Sequence, residues 1–421
     1  MNHNTYLFTG TTGIGKTKAA ISLAQDLLNK GGNLLILSID SRKAYKKLNI
    51  GTNKFAFLKH LKKLEQLAQD KNTNLLYCGI DLFEPHEQIN VFEFYKRLIT
   101  QCQNSTNFSL LTQNRFKTIV FGGTLLYIKP ILNLPVFDNP GQVPYLRSIL
   151  DTLHIQQIQT LAQNAEINLK DLNKSEQYNK HRLIRKIEVQ ILRKPYYFET
   201  FTQKLTNLNM NFNIQKLKQA FQNAIKQFNQ DKKDLHKIQD LIKLITSQPL
   251  KTQVFIPDNI LDKTYITKLV KRIFTMFELG FAKEVATLMQ EYSQKDSKSS
   301  QTIPAFSIMG YDILYNLLKN SKNPQQFAKN IDQYYSSLIK MQLNTQTIPE
   351  FIADYYIQNH NLGLEKIAEK LDLLAANRIN VNNATNSNLS FSLSPLLQIF
   401  KKHLDYARYQ KQSIKSILDL R

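Results

Sequence analysis

A glycine-rich run near the beginning of the chain has the residue types and spacing of a phosphate-binding loop. It reads Gly10-Thr11-Thr12-Gly13-Ile14-Gly15-Lys16-Thr17. In the pattern G-x-x-x-x-G-K-[ST], backbone N–H groups cradle phosphate oxygens, the lysine reaches the phosphates and the last hydroxyl ligates Mg²⁺. We therefore predict that Lys16 binds the phosphates of a ligand and that Thr17 holds Mg²⁺ as cofactor.

The segments on either side of this loop suit that chemistry. An apolar run at 6–8 predicts a strand, and the alanine, isoleucine and leucine residues of 19–28 recur at helical spacing. A strand, a turn and a helix N-terminus together aim N–H groups and the positive end of the helix dipole at one point. The alternative, a plain glycine-rich turn, requires neither flank.

An acidic residue, Asp40, follows a second apolar run at 34–37. Beside a phosphate-binding loop, such a carboxylate could hold Mg²⁺ in a nucleotide hydrolase or act as general base in a transferase. The residues after it are polar and cationic, beginning with Ser41, Arg42 and Lys43. They suit the clamping of an anionic partner at the mouth of the site, and the alternative is a helix-capping aspartate with solvated charges.

The charge of the chain favours a polyanionic partner. Lysine and arginine outnumber acidic residues 55 to 33, for a net charge of +22, which favours nucleic acid or an anionic membrane surface. Lysine richness without functional meaning is the alternative. No apolar run approaches the ~18 residues of a spanning helix, and residues 1–4 leave no room for a signal peptide. The two cysteines are isolated in the sequence. We therefore predict a cytoplasmic protein that binds nucleic acid and no membrane.

Apolar runs that alternate with helical patterns over residues 5–130 predict the fold class. The run at 118–121 is followed by Gly122-Gly123-Thr124. We predict an α/β fold with the parallel sheet core of P-loop NTPases, in which ligands lie at the carboxyl ends of the strands. From about residue 135 onward we expect helices only, including 211–229 and 232–247, with a polar loop at 293–301 and a linker at 378–392.

Six segments resemble, in the same order, the motifs of one enzyme family. They are residues 40–54, 80–94, 122–127, 181–189, 272–285 and 303–311. The first begins Asp-Ser-Arg, the third reads Gly-Gly-Thr-Leu-Leu-Tyr and the fourth reads His-Arg-Leu-Ile-Arg-Lys-Ile-Glu-Val. The family is that of the tRNA dimethylallyltransferases (isopentenyl-tRNA transferases), and the chain resembles a divergent bacterial-type member.

The resemblance implies transfer of a dimethylallyl group from dimethylallyl diphosphate to N6 of an adenine. That adenine is next to the anticodon, at position 37 of tRNAs that read codons beginning with U, and diphosphate is released. Asp40 is then the general base, because an exocyclic amine is a poor nucleophile until a carboxylate takes its proton. By the match to the family, Arg272 stabilises the leaving diphosphate and Thr124 lies beside the reacting groups.

The resemblance also implies a set of tRNA-binding residues. They are Asp40, Ser41, Arg42, Lys43, Arg147, His181, Arg182, Leu183, Ile184, Arg185, Gly310 and Tyr311. Cationic side chains among them would hold the anticodon loop through its phosphates and base edges. The alternatives are a surface histidine for His181 and a solvated helix face for Arg182 and Arg185.

These matches divide the chain into five parts. We predict the first part of the P-loop α/β catalytic core at 1–134, a helical tRNA-binding insertion at 135–200 and an enlarged helical insertion at 201–260. A helical return to the core follows at 261–345, and 346–421 is an extension that matches no motif. Nothing in the sequence requires more than a monomer.

Two other functions remain open. A P-loop ATPase or kinase would need an acid on a central strand, which Asp40 could supply, but the run at 118–121 is followed by Gly-Gly-Thr and no acid. A catalytically degenerate tRNA-binding descendant is suggested by residues 335–345, which lack two arginines and a tryptophan of the family pattern. Retention of Lys16, Thr17, Asp40, Thr124 and Arg272 favours activity.

Overall fold

The structure is a computed structural model. It describes residues 5–106, 109, 116–134, 136, 142–172, 174–208, 211–245, 250–293, 303–339, 342–343, 346–359, 368–369, 372 and 393–419. The linker predicted at 378–392 and most of the loop predicted at 293–301 lie outside these ranges. In the described parts of the chain, every helix is too short or too polar to span a bilayer.

A parallel sheet forms the centre of the fold and confirms the predicted class. Among the described residues it has five strands, in the order β3-β2-β4-β1-β5. The strands are β1 Thr5–Gly10, β2 Asn33–Ser38, β3 Leu75–Cys78, β4 Phe116–Gly122 and β5 Leu250–Phe255. The apolar runs form the inner strands because both faces of a parallel sheet are covered.

The expectation of helices only after residue 135, which included 201–260, is wrong at β5 and at two short strands, Gln342–Leu343 and Gln346–Thr347. Strand β5 pairs in parallel with β1 along Thr5–Gly10, at the edge of the sheet. Its sequence, Leu-Lys-Thr-Gln-Val-Phe, has three polar residues in a row, and partly buried residues alternate with exposed ones over its first four positions. Because successive side chains of a strand point to opposite faces, a strand that is covered on one face carries polar residues, and a search for continuous apolar runs misses it.

The described helices belong to two compact units. One unit is Met1–Leu132 with Ile242–Arg421, and the other is Asn133–Leu241. The first holds α1 Lys16–Asn29, α2 Lys54–Asp70, α3 Val91–Gln103, α4 Leu125–Ile128, α11 Lys263–Glu278, α12 Phe281–Ser293, α13 Tyr311–Leu318, α14 Pro324–Ile339, α15 Ile348–Asn359 and α16 Ser394–Asp419. It also holds the 3₁₀ turns Lys129–Leu132 and Pro304–Ser307 and the short strands β6 Gln342–Leu343 and β7 Gln346–Thr347.

The second unit is helical. It holds α5 Pro144–Leu150, α6 Ile155–Asn164, the 3₁₀ turn Leu169–Asp171, α7 Lys174–Tyr178, α8 Lys180–Arg193, α9 Tyr197–Asn207 and all but the last turn of α10 Ile214–Ile245. The two helices expected at 211–229 and 232–247 are therefore one, because neither glycine nor proline interrupts the run.

One apolar cluster holds the phosphate-binding loop in place. Helix α1 buries Ala20, Ile21, Ala24, Leu27 and Leu28 against the sheet and α2. Each buried leucine or isoleucine contributes about 1.5–3 kcal/mol relative to an exposed one. Since the last two residues of the loop, Lys16 and Thr17, form the beginning of α1, this packing sets the position of the loop.

Gly10 tests how closely β1 and β5 must approach. A Cβ there would lie 1.9 Å from the carbonyl oxygen of Phe255, and φ is +149°. We expect Gly10→Ala to lower the free energy of unfolding by at least ~3 kcal/mol, from backbone strain plus overpacking. Gly31→Ala is the matched control because φ there is +72° with nothing within 4 Å of a Cβ, so it should cost only ~1 kcal/mol. Urea denaturation followed by circular dichroism measures both, and equal losses would contradict the close approach.

Candidate active site

The phosphate-binding loop, residues 10–17, turns from β1 into α1. Gly13 and Gly15 have φ of +77° and +112°, values that favour glycine. Gly15 precedes α1 and offers no side chain to cap it. The N–H groups of the first helical turn have no partner within a helix, so they and the helix dipole favour an anion at this point.

The loop lines a cavity of about 270 Å³ in the first unit. All three predicted reaction residues, Asp40, Thr124 and Arg272, line the same cavity. It therefore brings together motifs from the carboxyl ends of β1, β2 and β4 with a residue of α11. Residues 51–53, Phe57 and His60 form another part of its wall.

Asp40 is held as a carboxylate. Its Oδ1 accepts the N–H of Arg42 at 3.0 Å and its Oδ2 accepts the Lys43 Nζ at 2.9 Å. Burial raises the pKa of Asp40, but the charges of Lys43 and Arg42 and these two hydrogen bonds outweigh it. The pKa therefore lies well below its ordinary value. Beside it, the Ser41 N–H donates to the Thr124 Oγ1 at 3.3 Å, and the two hydroxyl oxygens are 3.2 Å apart.

Cations crowd the other side of the cavity. Lys16 donates from Nζ to the carbonyl oxygen of Thr11 at 2.6 Å. Burial, followed by the charges of Lys43 and Arg272, lowers the pKa of Lys16 to about 7, although Asp40 opposes them. Burial, followed by the charge of Arg42, lowers the pKa of Arg272 to about 10. Like charges buried together cost free energy, and a phosphate group would relieve that cost.

The residues present fit a magnesium ion. Thr17 and Asp40 line the same cavity, and hydroxyl and carboxylate oxygens are ligands that Mg²⁺ accepts. In the described parts of the chain no three His, Cys, Asp or Glu residues cluster in a way that could hold a metal. Mg²⁺ usually takes one or two protein oxygens with water and substrate phosphates, so this site needs its ligand to complete the shell.

The second unit carries a separate group of predicted residues. Arg147, His181, Arg182 and Arg185 line an open cavity of about 800 Å³. Glu188, fully buried, accepts Arg147 through both oxygens at 2.7 Å and Arg185 at 3.1 Å. This bidentate pair is a geometrically specific interaction, so Glu188 orients two of these four side chains.

Three of the residues predicted to contact tRNA lie in the core. Leu183 and Ile184 pack among the buried residues of the second unit, with 0% and 1% exposure. Tyr311 is also buried, and its hydroxyl donates to Glu284 at 2.6 Å. These side chains do not reach solvent, and they support their neighbours instead. Gly310 precedes α13 with φ of +93°.

A family model described as IPP transferase matches residues 43–346 of the chain. The chain belongs to the IPP transferase family. The prediction of this family from six ordered motifs is confirmed, and with it the prediction of an enzyme that transfers a prenyl group.

Two curated relatives and one solved structure show what this chain is similar to. The tRNA dimethylallyltransferase of Buchnera aphidicola subsp. Cinara cedri is 27% identical over 350 residues, covering 82% of this chain and 90% of that protein. The tRNA dimethylallyltransferase of Crocosphaera subtropica is 24% identical over 387 residues, covering 89% and 100%. A solved tRNA isopentenylpyrophosphate transferase from Staphylococcus epidermidis is similar at 18% identity with a TM-score of 0.35, covering 86% and 99%.

Sequence reasoning missed several residues of this chain that shape the site. Glu284 accepts the N–H groups of Asn49 and Ile50 at 2.9 and 3.0 Å, and so holds the turn before residues 51–53. Tyr406 and Gln410 of α16 line the cavity itself. Glu284 falls inside a motif, but α16 falls in the extension that matched none, so no sequence signal pointed to it.

The low pKa of Lys16 makes diphosphate binding a proton-linked event. At pH 8 Lys16 is mostly neutral in the free protein because its pKa is about 7, and a bound anion would raise that pKa. When diphosphate binds, we expect the wild-type protein to take up close to one proton more than Lys16→Arg does, because the guanidinium of the variant stays charged. Calorimetry of inorganic diphosphate with Mg²⁺, in two buffers of different ionisation enthalpy, measures the difference. Equal proton numbers for the two proteins would contradict a neutral Lys16.

Proposed function

We propose that this chain transfers a dimethylallyl group from dimethylallyl diphosphate to N6 of adenine 37 in tRNAs that read codons beginning with U. The observation that carries the proposal is one cavity in which a cationic phosphate-binding loop faces an ionised carboxylate, Asp40. The names of the relatives support the donor group and the RNA acceptor. Diphosphate is the second product.

The loop half of the cavity would bind the donor. The N–H groups of residues 13–17, Lys16 and Arg272 would hold the diphosphate and stabilise the charge that grows as the allylic C–O bond breaks. Mg²⁺, held by Thr17 and the diphosphate oxygens, would add positive charge there. The electron pair of the broken bond leaves with the diphosphate.

The carboxylate half would serve the acceptor. As the bond from N6 to the allylic carbon forms, Asp40 takes the proton that N6 loses. Lys43 lowers the pKa of Asp40 in the free protein, so a diphosphate that draws Lys43 away would make Asp40 a stronger base. The hydroxyls of Ser41 and Thr124, 3.2 Å apart, would orient the base edge of the adenine, which must leave its stack to enter the cavity.

The cations of the second unit would hold the RNA. Arg147 and Arg185 are oriented by Glu188. His181 and Arg182 are exposed on α8, the helix that also carries Arg185. Arginine side chains suit phosphate oxygens and base edges of an unpaired loop. We infer that one molecule of the protein, acting in the cytoplasm, binds the anticodon stem-loop through this surface.

The central test removes the base and keeps the anion site. We expect Asp40→Asn to lower transfer by at least about a hundredfold, because general-base catalysis contributes about 10²–10⁴-fold. Its affinity for inorganic diphosphate should be unchanged or higher, because a negative charge has left the cavity. Transfer of label from radiolabelled dimethylallyl diphosphate to unmodified tRNA measures the first, and calorimetry the second.

The same assay separates the two other functions. Wild-type transfer that vanishes when the target adenine is replaced supports the proposal. ATP turnover without transfer would favour a P-loop ATPase. Binding of tRNA without either reaction would favour the degenerate descendant suggested by residues 335–345. An equal loss of transfer and diphosphate binding in Asp40→Asn would refute the role of Asp40 as base.

A salt series tests the RNA surface. We expect Arg182→Ala to weaken tRNA binding and to reduce the slope of log K against log salt by about 1, because one phosphate contact is lost. Lys62→Ala, an exposed lysine of α2 in the first unit, is the control that should leave the slope unchanged. Filter binding at several salt concentrations gives both slopes, and equal slopes for the two variants would assign Arg182 to a solvated face.

A further inference from the structure

Helix α16 turns a polar stripe toward the active-site cavity. Its face carries apolar residues such as Leu404, Ala407 and Ile414, yet His403 and Gln410 on the same face are 3% and 1% exposed. Tyr406 lies between them, at the three-to-four residue spacing of one helix face. Burying an amide costs about 1–3 kcal/mol unless hydrogen bonds compensate. A helix that only docks would carry apolar residues here.

The Gln410 amide joins the two loops that carry the two halves of the site. Its Oε1 accepts the Thr12 N–H at 2.7 Å, and its Nε2 donates to the Gly123 carbonyl oxygen at 2.5 Å. Thr12 belongs to the phosphate-binding loop after β1, and Gly123 precedes Thr124 after β4. One side chain therefore sets the spacing between the diphosphate loop and the Ser41–Thr124 hydroxyl pair.

Thr12 is held by three side chains from two helices, α11 and α16. Besides Gln410, its carbonyl oxygen accepts the Tyr265 hydroxyl at 2.7 Å and its Oγ1 accepts Arg272 at 3.3 Å. All its polar atoms are thereby engaged, and the residues that follow it, including Gly13, Gly15 and Lys16, line the cavity. Gly123 leaves room for this contact, because a Cβ there would lie 2.9 Å from the Gln410 Nε2.

Tyr406 adds a second contact from the same helix. Its ring lies 4.2 Å from the Arg42 guanidinium carbon, and its hydroxyl donates to the Gly123 carbonyl oxygen at 3.3 Å. A cation–π contact of this kind contributes about 0.5–2 kcal/mol. Because the Arg42 N–H binds Asp40, the ring also steadies the segment that carries the carboxylate.

We propose that Gln410 is a positioning residue for the donor diphosphate, supported by Tyr406 of the same helix, so that α16 forms part of the active site. The helix lies wholly beyond residue 346, where the family match ends. The effect on transfer rests on the proposed function, whereas the effect on diphosphate binding does not.

The test replaces the amide without changing its size. We expect Gln410→Met to weaken the Kd for inorganic diphosphate with Mg²⁺ about tenfold, since a lost hydrogen bond of ~1.4 kcal/mol is one factor of ten. kcat/KM for dimethylallyl diphosphate should fall by a similar factor while the KM for tRNA stays unchanged. Gln412→Met is the matched control, because Gln412 is an exposed glutamine of the same helix, and its Kd should equal that of wild type.

A second substitution at the same position tests the proposal if Gln410→Met does not fold. Gln410→Asn stays polar but is one methylene too short to reach both partners, so its Kd for diphosphate should weaken at least about threefold. Tyr406→Phe keeps the ring over Arg42 and should change Kd by less than that. Thermal denaturation with and without diphosphate reports the folded fraction and the stabilisation by ligand.

The outcomes separate the possibilities. A weaker Kd in both Gln410 variants, with Gln412→Met unchanged, supports the positioning role. A lower melting temperature with unchanged Kd would overturn it, because Gln410 would then only stabilise the fold. A tighter Kd would also overturn it, since α16 would then be a plug that competes with diphosphate. A wild-type protein that binds diphosphate but transfers no prenyl group refutes the proposed function alone, and the Kd comparison still decides the role of Gln410.

Discussion

The crowding of like charges around one small cavity is the constraint on which the rest of the structure depends. Burial, followed by the charges of Lys43 and Arg272, lowers the pKa of Lys16 to about 7, and burial, followed by the charge of Arg42, lowers the pKa of Arg272 to about 10. In the free protein Asp40 is the only acidic side chain among the residues that line the described cavity. Such a site stores unfavourable energy that an anionic ligand releases.

Holding these cations together requires a rigid frame. The loops after β1, β2 and β4 lie at the same end of the parallel sheet, because the carboxyl ends of parallel strands all lie there. Buried charged side chains then hold the segment after β2 through hydrogen bonds. Glu284 accepts N–H groups of residues 49–51, and Lys54, with no exposed side chain, pairs with Asp81 and the Tyr45 carbonyl oxygen.

The two units differ in how deeply their charged side chains are buried. The first unit carries the glycine-rich loop and the Asp40 carboxylate, and the pKa values of Lys16, Asp40 and Arg272 there are shifted from their ordinary values. The second unit carries two partly exposed arginines, Arg147 and Arg185, which the buried Glu188 orients, and the exposed Arg182. Exposed cations suit the reversible binding of a large polyanion, whereas buried ones suit charge development in a reaction.

The sequence by itself determined the phosphate-binding loop, the role of Asp40 as an ionisable group at a strand end, the fold class and the family. Each of these depends on residues close together in the chain, where spacing implies geometry. The tertiary structure alone decided which distant segments complete the site. The contact of Gln410 with Thr12 spans 398 positions, and β5 joins the sheet at β1 from residue 250 onward. Local spacing carries no record of such contacts, because they arise only when separate buried faces pack together.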